Sequence, residues 1–305
     1  MIHLAEQLLN GVQFGIMLFL MAAGLTLIFG IMNLINLAHG SLYMVGAYVA
    51  ASAYAATGSF LFALAAALAA ATLVGIAIEI IVFRTLYTRD HLDQVLATFG
   101  LILFFNEMVR ILWGATALYM PVPDFLNGRI EILAGIPYPT YRLAIIAVGL
   151  TVALLLYGLI ARTRLGMLIR AGAANRVMLG ALGVNVTLLY TLVFALGAAL
   201  AALAGVMAGP IFTVESGMGE SVLISAFVVI VIGGIGSIRG AFVAALLVGI
   251  VDAVGRSYLR PLLGMFMSGA AAANTGPALI SMSTYILMAA VLFVRPQGLF
   301  PPRGR

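Results

Sequence analysis

The hydrophobic residues of this chain fall in long unbroken runs separated by short polar stretches. Apolar segments occupy roughly 8–32, 41–57, 59–83, 94–115, 142–161, 187–208, 221–235, 241–255 and 277–294. A helix needs about 20 apolar residues to cross a hydrocarbon layer about 30 Å thick, and most of these runs approach that length. Membrane barrels instead alternate apolar and polar residues over segments of about ten, which is not the pattern here. The runs predict an all-α, polytopic integral membrane protein with eight or nine transmembrane helices. Eight follows if the first two segments form one broken unit, since nothing charged separates them. The stretch 261–276 is too rich in glycine and alanine to assign.

Composition strengthens this reading. Of 305 residues, 64% are hydrophobic and 8% charged, whereas a soluble domain carries about 25% charged residues to face water. The net charge of +5 would suit nucleic acid only if the basic residues gathered on a water-exposed face. All fifteen are arginines lying mainly between apolar runs, so the chain is not read as a nucleic-acid binder. With no cysteine, disulfides, thiolate chemistry and cysteine metal sites are excluded. The N-terminus lacks a basic n-region, and the apolar run after it is too long for a signal peptide. It reads as the first span.

Arginine also sets the expected orientation, because cytoplasmic loops are enriched in it. The segment 162–186 holds Arg162, Arg164, Arg170 and Arg176 without an acid, and Arg84, Arg89, Arg239, Arg295, Arg303 and Arg305 mark further internal positions. The opposite side receives 116–141 and the loop with Glu215 and Glu220. Ten arginines then lie inside and five (Arg110, Arg129, Arg142, Arg256, Arg260) outside. Nine spans place the N-terminus out and the C-terminus in. The whole chain, 1–305, reads as a single transmembrane domain. Gly197, Ala201, Gly205 and Gly209, alanine-rich 63–71, and Gly236 with Gly240 are small residues of the kind that let membrane helices approach closely.

Polar groups inside spans are costly in lipid and are the natural functional candidates. Glu107 with Arg110 and Asp252 with Arg256 are spaced three and four apart, so each pair can neutralise itself on its helix. Glu79 has no obvious partner and is expected at the inner interface, where water reaches it. No chain of carboxylates or histidines crosses the membrane, which argues against proton or sodium coupling. Asn33, Asn36 and His39 recur every three residues with Tyr43 four further on, a polar stripe if this stretch is helical. Such a stripe serves either interhelical hydrogen bonding or a polar solute's path. Gly40 could break the helix and place backbone groups at a cavity.

The run Gly233 to Gly240 is not a phosphate loop, since Ala241 and Phe242 stand where Lys and Ser/Thr are needed. It predicts a tight turn between two spans. No HExxH, GxSxG or paired-carboxylate motif occurs, so the chain is not read as an enzyme and no metal site is expected. Uphill movement of a solute would draw energy from a separate ATPase. The basic segment 162–186 is too apolar for a linker and too charged for a span. Leu165, Leu168, Ile169, Met178, Leu179 and Leu182 among its arginines predict short helices at the inner face, for membrane anchoring or for docking a cytoplasmic partner.

Four stretches carry a resemblance: GIMNLINLAHGSLYMVGAY at 30–48; RAGAANRVMLGALGVNV at 170–186 with FALGAALAALAGVMAG at 194–209; AFVVIVIGGIGSIRGAFVAALLVGIV at 226–251; and VRPQGLF at 294–300. In this order the chain resembles the permease subunit of branched-chain (hydrophobic) amino-acid ABC importers, the LivH type, over nearly its whole length. Urea and short-amide permeases share these motifs. The resemblance implies a multi-pass protein of the bacterial inner membrane that pairs with a second related permease, two cytoplasmic ATPases and a soluble solute-binding protein. It implies no cofactor in this chain, with ATP and magnesium held by the ATPases. Gly166, Arg170, Ala171, Asn175, Arg176 and Gly183 then belong to a loop that docks in an ATPase groove, and Asn33, Asn36, His39 and Tyr43 to the translocation path. Ala174 and Leu179 depart from the family pattern, which has an acidic and a small residue there, and Gly264 to Gly276 is longer than usual. An ion-coupled carrier built on Glu79, His39 and the charge pairs is the competing class.

Overall fold

A computed structural model describes residues 2–132 and 137–300. Arg303, Arg305 and part of the expected outer loop, 133–136, lie outside the described residues. In chain order the helices are α1 (Ile2–Met32), α2 (His39–Thr57), α3 (Phe60–Ile78), a π-helical turn (Glu79–Phe83), α4 (Arg84–Leu86), α5 (His91–Trp113), α6 (Thr140–Arg162), α7 (Arg164–Ala174), α8 (Arg176–Ala181), α9 (Val186–Ala208), α10 (Met218–Gly233), α11 (Ile238–Leu263) and α12 (Gly269–Val294). Each of the apolar runs is represented by one helix of the bundle. Among the described residues seven helices are long and apolar enough to cross a membrane. The other two, α2 and α10, have 19 and 16 residues.

The run predicted at 59–83 continues as helix through the π turn into α4, ending at Leu86. The last helix starts at Gly269, well before the expected 277, with Pro277 inside it. Its start is fixed by Ser268, whose hydroxyl accepts from the Ala271 amide at 3.3 Å. Such a cap satisfies one of the four unpaired amides that every helix start carries. The turn expected within Gly233 to Gly240 is observed at 234–237, with Gly234 and Gly236 at φ 99° and 86°, backbone that only glycine adopts readily.

Burial separates an inner from an outer set of helices. In α1, 83% of the most apolar window is buried, against 6% in α12. A helix that is apolar all round belongs in the interior, and α1 packs along α11, α9, α6 and α10. Glycine and alanine permit the close approaches. A Cβ on Gly15 would lie 2.6 Å from the Ala245 carbonyl oxygen, and one on Gly46 2.6 Å from the Ala202 Cα. Gly197 faces Ile28 and Gly24 of α1, Gly205 faces Tyr43 and Ala47 of α2, Ala201 between them is fully buried, and Gly240 backs onto Gly233. Ala63, Ala67 and Ala71 form the buried face of α3. By contrast α5, α6 and α12 present Phe99, Phe104, Ile111, Leu154, Leu155, Ile286 and Phe293 outward, a surface suited to lipid.

Contacts sort the connections into two ends. At one end Tyr138 donates to Asn10 at 3.2 Å, Tyr141 to the Met207 carbonyl at 2.9 Å, and Trp113 to Ser52 at 2.6 Å. A short antiparallel hairpin, β1 (Arg129–Glu131) with β2 (Pro137–Pro139), belongs here, as does the pairing of Leu118 with Val214. At the other end Arg84 meets Thr191 at 3.2 Å, the Arg239 guanidinium lies 5.0 Å from the Tyr157 ring centre, and α7 packs on Ile31 and Leu189. The loops rich in arginine gather at this second end.

The VRPQGLF stretch has a structural task there. The amides of Leu299 and Phe300 donate to the carbonyls of Ile232 and Gly233 at 2.8 and 3.0 Å. These are the last carbonyls of α10, which have no partner within the helix. Gly298 (φ 82°) lets the segment close on Gly234, where a Cβ would meet the Gly234 amide at 2.5 Å.

Candidate functional site

The stretch that suggested one polar stripe is not one helix. α1 ends at Met32, Asn33 adopts φ 52°, and residues 33–38 are non-helical before His39 opens α2. Asparagine tolerates this left-handed conformation, so the break sits at Asn33 rather than at Gly40, which lies inside α2. The structure therefore separates the four residues. Asn33 is exposed at the end of α1, while Asn36, His39 and Tyr43 are buried at the start of α2.

The start of α2 lies within the bundle rather than at its end. The His39 imidazole abuts the middle of α1, where a Cβ on Gly24 would fall 2.9 Å from Nε2. Gly40 touches Gly219 in the first turn of α10, each carbonyl meeting the other's Cα face, and Tyr43 lies against Gly205 of α9. Two interrupted helices thus begin face to face, and glycines at both positions make the contact. Asn36 and His39 are each fully buried, yet neither amide atom of Asn36 and neither ring nitrogen of His39 has a hydrogen-bond partner. The Met21 carbonyl lies beside the ring but outside hydrogen-bonding geometry. Each buried polar group left so costs about 1–3 kcal/mol, and native proteins tolerate few of them.

Glu79 gives the opposite picture and corrects the sequence expectation of a carboxylate bathed by interfacial water. Its side chain is fully buried. Tyr87 donates to it at 2.9 Å, Thr191 at 2.7 Å, and the Arg84 Nε lies 3.4 Å away. The π turn makes this geometry, since the Arg84 amide bonds the Glu79 carbonyl five residues back. That spacing swings residue 84 over residue 79, which the ordinary period of 3.6 would not do. Burial and the adjacent carboxylate push the Tyr87 hydroxyl above the usual tyrosine range, so it remains a donor. The other two pairs form as expected. Arg110 meets Glu107 at 2.9 Å with both side chains exposed, and Arg256 holds Asp252 through two bonds of 2.7 and 3.0 Å.

At the arginine-rich end, α7 and α8 are the two short helices expected in 162–186. Thr163 caps α7 through the Gly166 amide at 3.1 Å, and Asn175 caps α8 through the Met178 amide at 2.9 Å. Gly166 is buried because α7 folds back on α6, and its Cβ face meets the carbonyls of Leu159 and Ile160. Gly183, at φ 84°, turns the chain toward α9. Ile169 and Leu179 point inward, where Leu179 reaches Gly172. Arg164, Arg170, Ala171, Arg176, Val177, Met178 and Leu182 are exposed, forming a basic, apolar platform at the end of the bundle.

Two surface cavities accompany these features. One of about 390 Å³ lies beside the hairpin, between Val122, Arg129 and Tyr141. One of about 140 Å³ lies between α10, α11 and α12 beside Asp252 and Arg256. Neither is lined by Asn36, His39 or Tyr43. Among the described residues no group of three His, Cys, Asp or Glu could hold a metal.

Residues 7–292 match the family described as branched-chain amino acid transport system / permease component. The chain belongs to this family. It is 32% identical over 267 residues to the high-affinity branched-chain amino acid transport system permease protein BraD of Pseudomonas aeruginosa, covering 83% of this chain and 86% of the relative. It is 31% identical over 272 residues to the corresponding permease protein LivH of Escherichia coli, covering 85% and 88%. A probable branched-chain amino acid transport permease protein of Methanocaldococcus jannaschii is 26% identical over 300 residues, covering 93% and 88%. No solved structure matches the chain. Both the break between α1 and α2 and the α7–α8 platform of this permease-family chain fall inside the matched region.

Proposed function

We propose that the chain is a membrane-spanning permease subunit of an ATP-driven importer for branched-chain or other hydrophobic amino acids. The observation that carries this reading is the similarity, over 83–85% of the chain, to permease proteins named for branched-chain amino acid transport. The chain passes nine times through the inner membrane of a bacterium, with α2 and α10 as short passes buffered by their neighbours. The hairpin end faces out and the arginine-rich end faces the cytoplasm, in keeping with the positive-inside bias.

The α7–α8 platform supports energy input from outside the chain. An exposed helix pair with apolar and basic side chains is suited to the groove of a cytoplasmic partner, here one of two ATPases. A second permease and a soluble solute-binding protein complete the assembly, and this chain performs no chemistry on ATP. The Glu79 carboxylate, neutralised by Arg84 and bound by two hydroxyls, is poorly placed to relay protons. Solute passes along the joint of α2 and α10, past Asn36, His39 and Tyr43.

Uptake of labelled leucine into cells separates the energy sources. ATP depletion should abolish it, while a protonophore should leave the initial rate intact in cells whose ATP is clamped. The reverse result would overturn the proposal. Charge reversal at Arg170 and Arg176 together should weaken co-purification of the ATPases about tenfold or more, a loss of about 1.4 kcal/mol, with the melting temperature of the bundle unchanged. Undiminished recovery would remove the platform from the coupling role.

A further inference from the structure

We propose that the start of α2, together with the side chains of Asn36 and His39, is a carboxylate-binding site within the bundle, taking the carboxylate of a free amino acid during passage. This rests on the importer reading and names the chemical group that the joint recognises.

Helix α2 begins inside the protein with Ala38 before it, has no side-chain cap and has no acid in its first turn. The amides at a helix start point outward along the axis and carry partial positive charge, which favours an anion. At α2 the His39 and Ser41 amides donate to the Asn36 and Ala38 carbonyls at 3.4 and 3.0 Å. Helix α6 likewise starts with neither a side-chain cap nor an acid, but several other starts meet this need through side chains. Ser59, Thr163, Asn175, Asn185 and Ser268 cap their helices, and α10 carries Glu220 in its first turn.

The unused side chains at the same place supply a second and independent indication. The Asn36 amide offers two N–H donors, and a neutral His39 ring offers one more. Both polar atoms of the Asn36 amide are buried without partners, and the His39 ring has the Met21 backbone beside it. Among the described acids, Glu220 is engaged by Asn106 at 2.6 Å, and Glu79 belongs to its own cluster. A planar anion with two oxygens suits hydrogen-bond donors gathered near a helix start, whereas a cation would face the positive end of the helix. The contact of Gly40 with Gly219 closes the joint in this conformation. Movement of α10 away from α2 would open it, and glycine at both positions lets it shut again without a side chain in the way.

The chain has three histidines, His3, His39 and His91, which makes the imidazole a reporter. In His3→Gln/His91→Gln protein, purified in its native complex and labelled with ¹⁵N-histidine, the His39 resonances are followed with and without ATP. Leucine, isovalerate (carboxylate without ammonium) and leucinol (ammonium without carboxylate) are titrated in turn. Leucine and isovalerate should shift the signals, with leucinol at least tenfold weaker. Asn36→Asp, which adds a like charge, should weaken the leucine effect at least tenfold, while His39→Gln in unlabelled protein should retain more uptake than His39→Leu.

Equal shifts by leucinol and leucine, or no shift by any ligand in either nucleotide state, would overturn the carboxylate site. Uptake measured in Asn36→Leu and His39→Leu separates this outcome from failure of the path reading. If uptake falls while the ligands are not discriminated, the path stands and the carboxylate site does not. Normal uptake in both variants removes the path and the site together.

Discussion

Glu79 and the pair Asn36–His39 are alike in burial and opposite in what surrounds them. All three side chains are fully shielded from solvent. Glu79, the more expensive group to bury, has an arginine, a tyrosine and a threonine arranged around it from two elements far apart in sequence. Asn36 and His39, which are cheaper to bury, have no hydrogen-bond partners. Burial alone therefore does not distinguish these polar residues. What distinguishes them is whether the protein supplies partners, since a group paired within the fold stabilises it and an unpaired one costs free energy unless something else binds there.

Substitutions at the two places should differ in sign as well as size. Glu79→Leu should cost about 3 kcal/mol, the lower end for breaking a buried ion pair because Arg84 retains some solvent. The measurement is the melting temperature of the purified protein in detergent. A change smaller than that of a surface substitution would show that the cluster does not tie α3 to α9. Tyr87→Phe removes one hydrogen bond to a charged acceptor and should cost about 1.5 kcal/mol, read in the same assay. Asn36→Leu and His39→Leu should leave stability unchanged or raise it by up to about 1 kcal/mol, because each removes an unpaired buried polar group. Uptake should nevertheless fall about tenfold in both. A large loss of stability there would make the joint interhelical glue and erase the contrast. The smallest effect is expected at the exposed pair, where Glu107→Gln should change stability by no more than about 0.5 kcal/mol.

Much of this architecture is legible in the order of apolar residues. The helices of the bundle coincide with the apolar runs because a backbone in lipid must satisfy its own hydrogen bonds, and that demand leaves few alternatives. The ends were less legible. No proline or glycine marks the break after Met32, and Asn33 takes the left-handed turn with no signal beyond its residue type. The start of α12 was hidden because Pro277 and the surrounding alanines and glycines resemble a loop, although Ser268 offered a cap. Most of the Glu79 partners could not have been found by spacing. Thr191 is 112 positions away, and Arg84 sits at an interval that only a widened helical turn brings round. The short helices in 162–186 were foreseeable from their apolar residues. Their sorting into inward Ile169 and Leu179 and outward Met178 and Leu182 depends on packing against α1 and α9.

The docking of Leu299 and Phe300 onto the end of α10 also bears on how the molecule is made. Helices α10 and α11 are synthesised and inserted before the segment that completes their turn exists. That turn stays unfinished until the final helix has left the translocon and the tail folds back. A chain truncated after Val294 would hold every span in the bilayer and still expose two backbone carbonyls at Ile232 and Gly233. The tail is thus a late closure, and its loss would leave the end of α10 with two unpaired carbonyls.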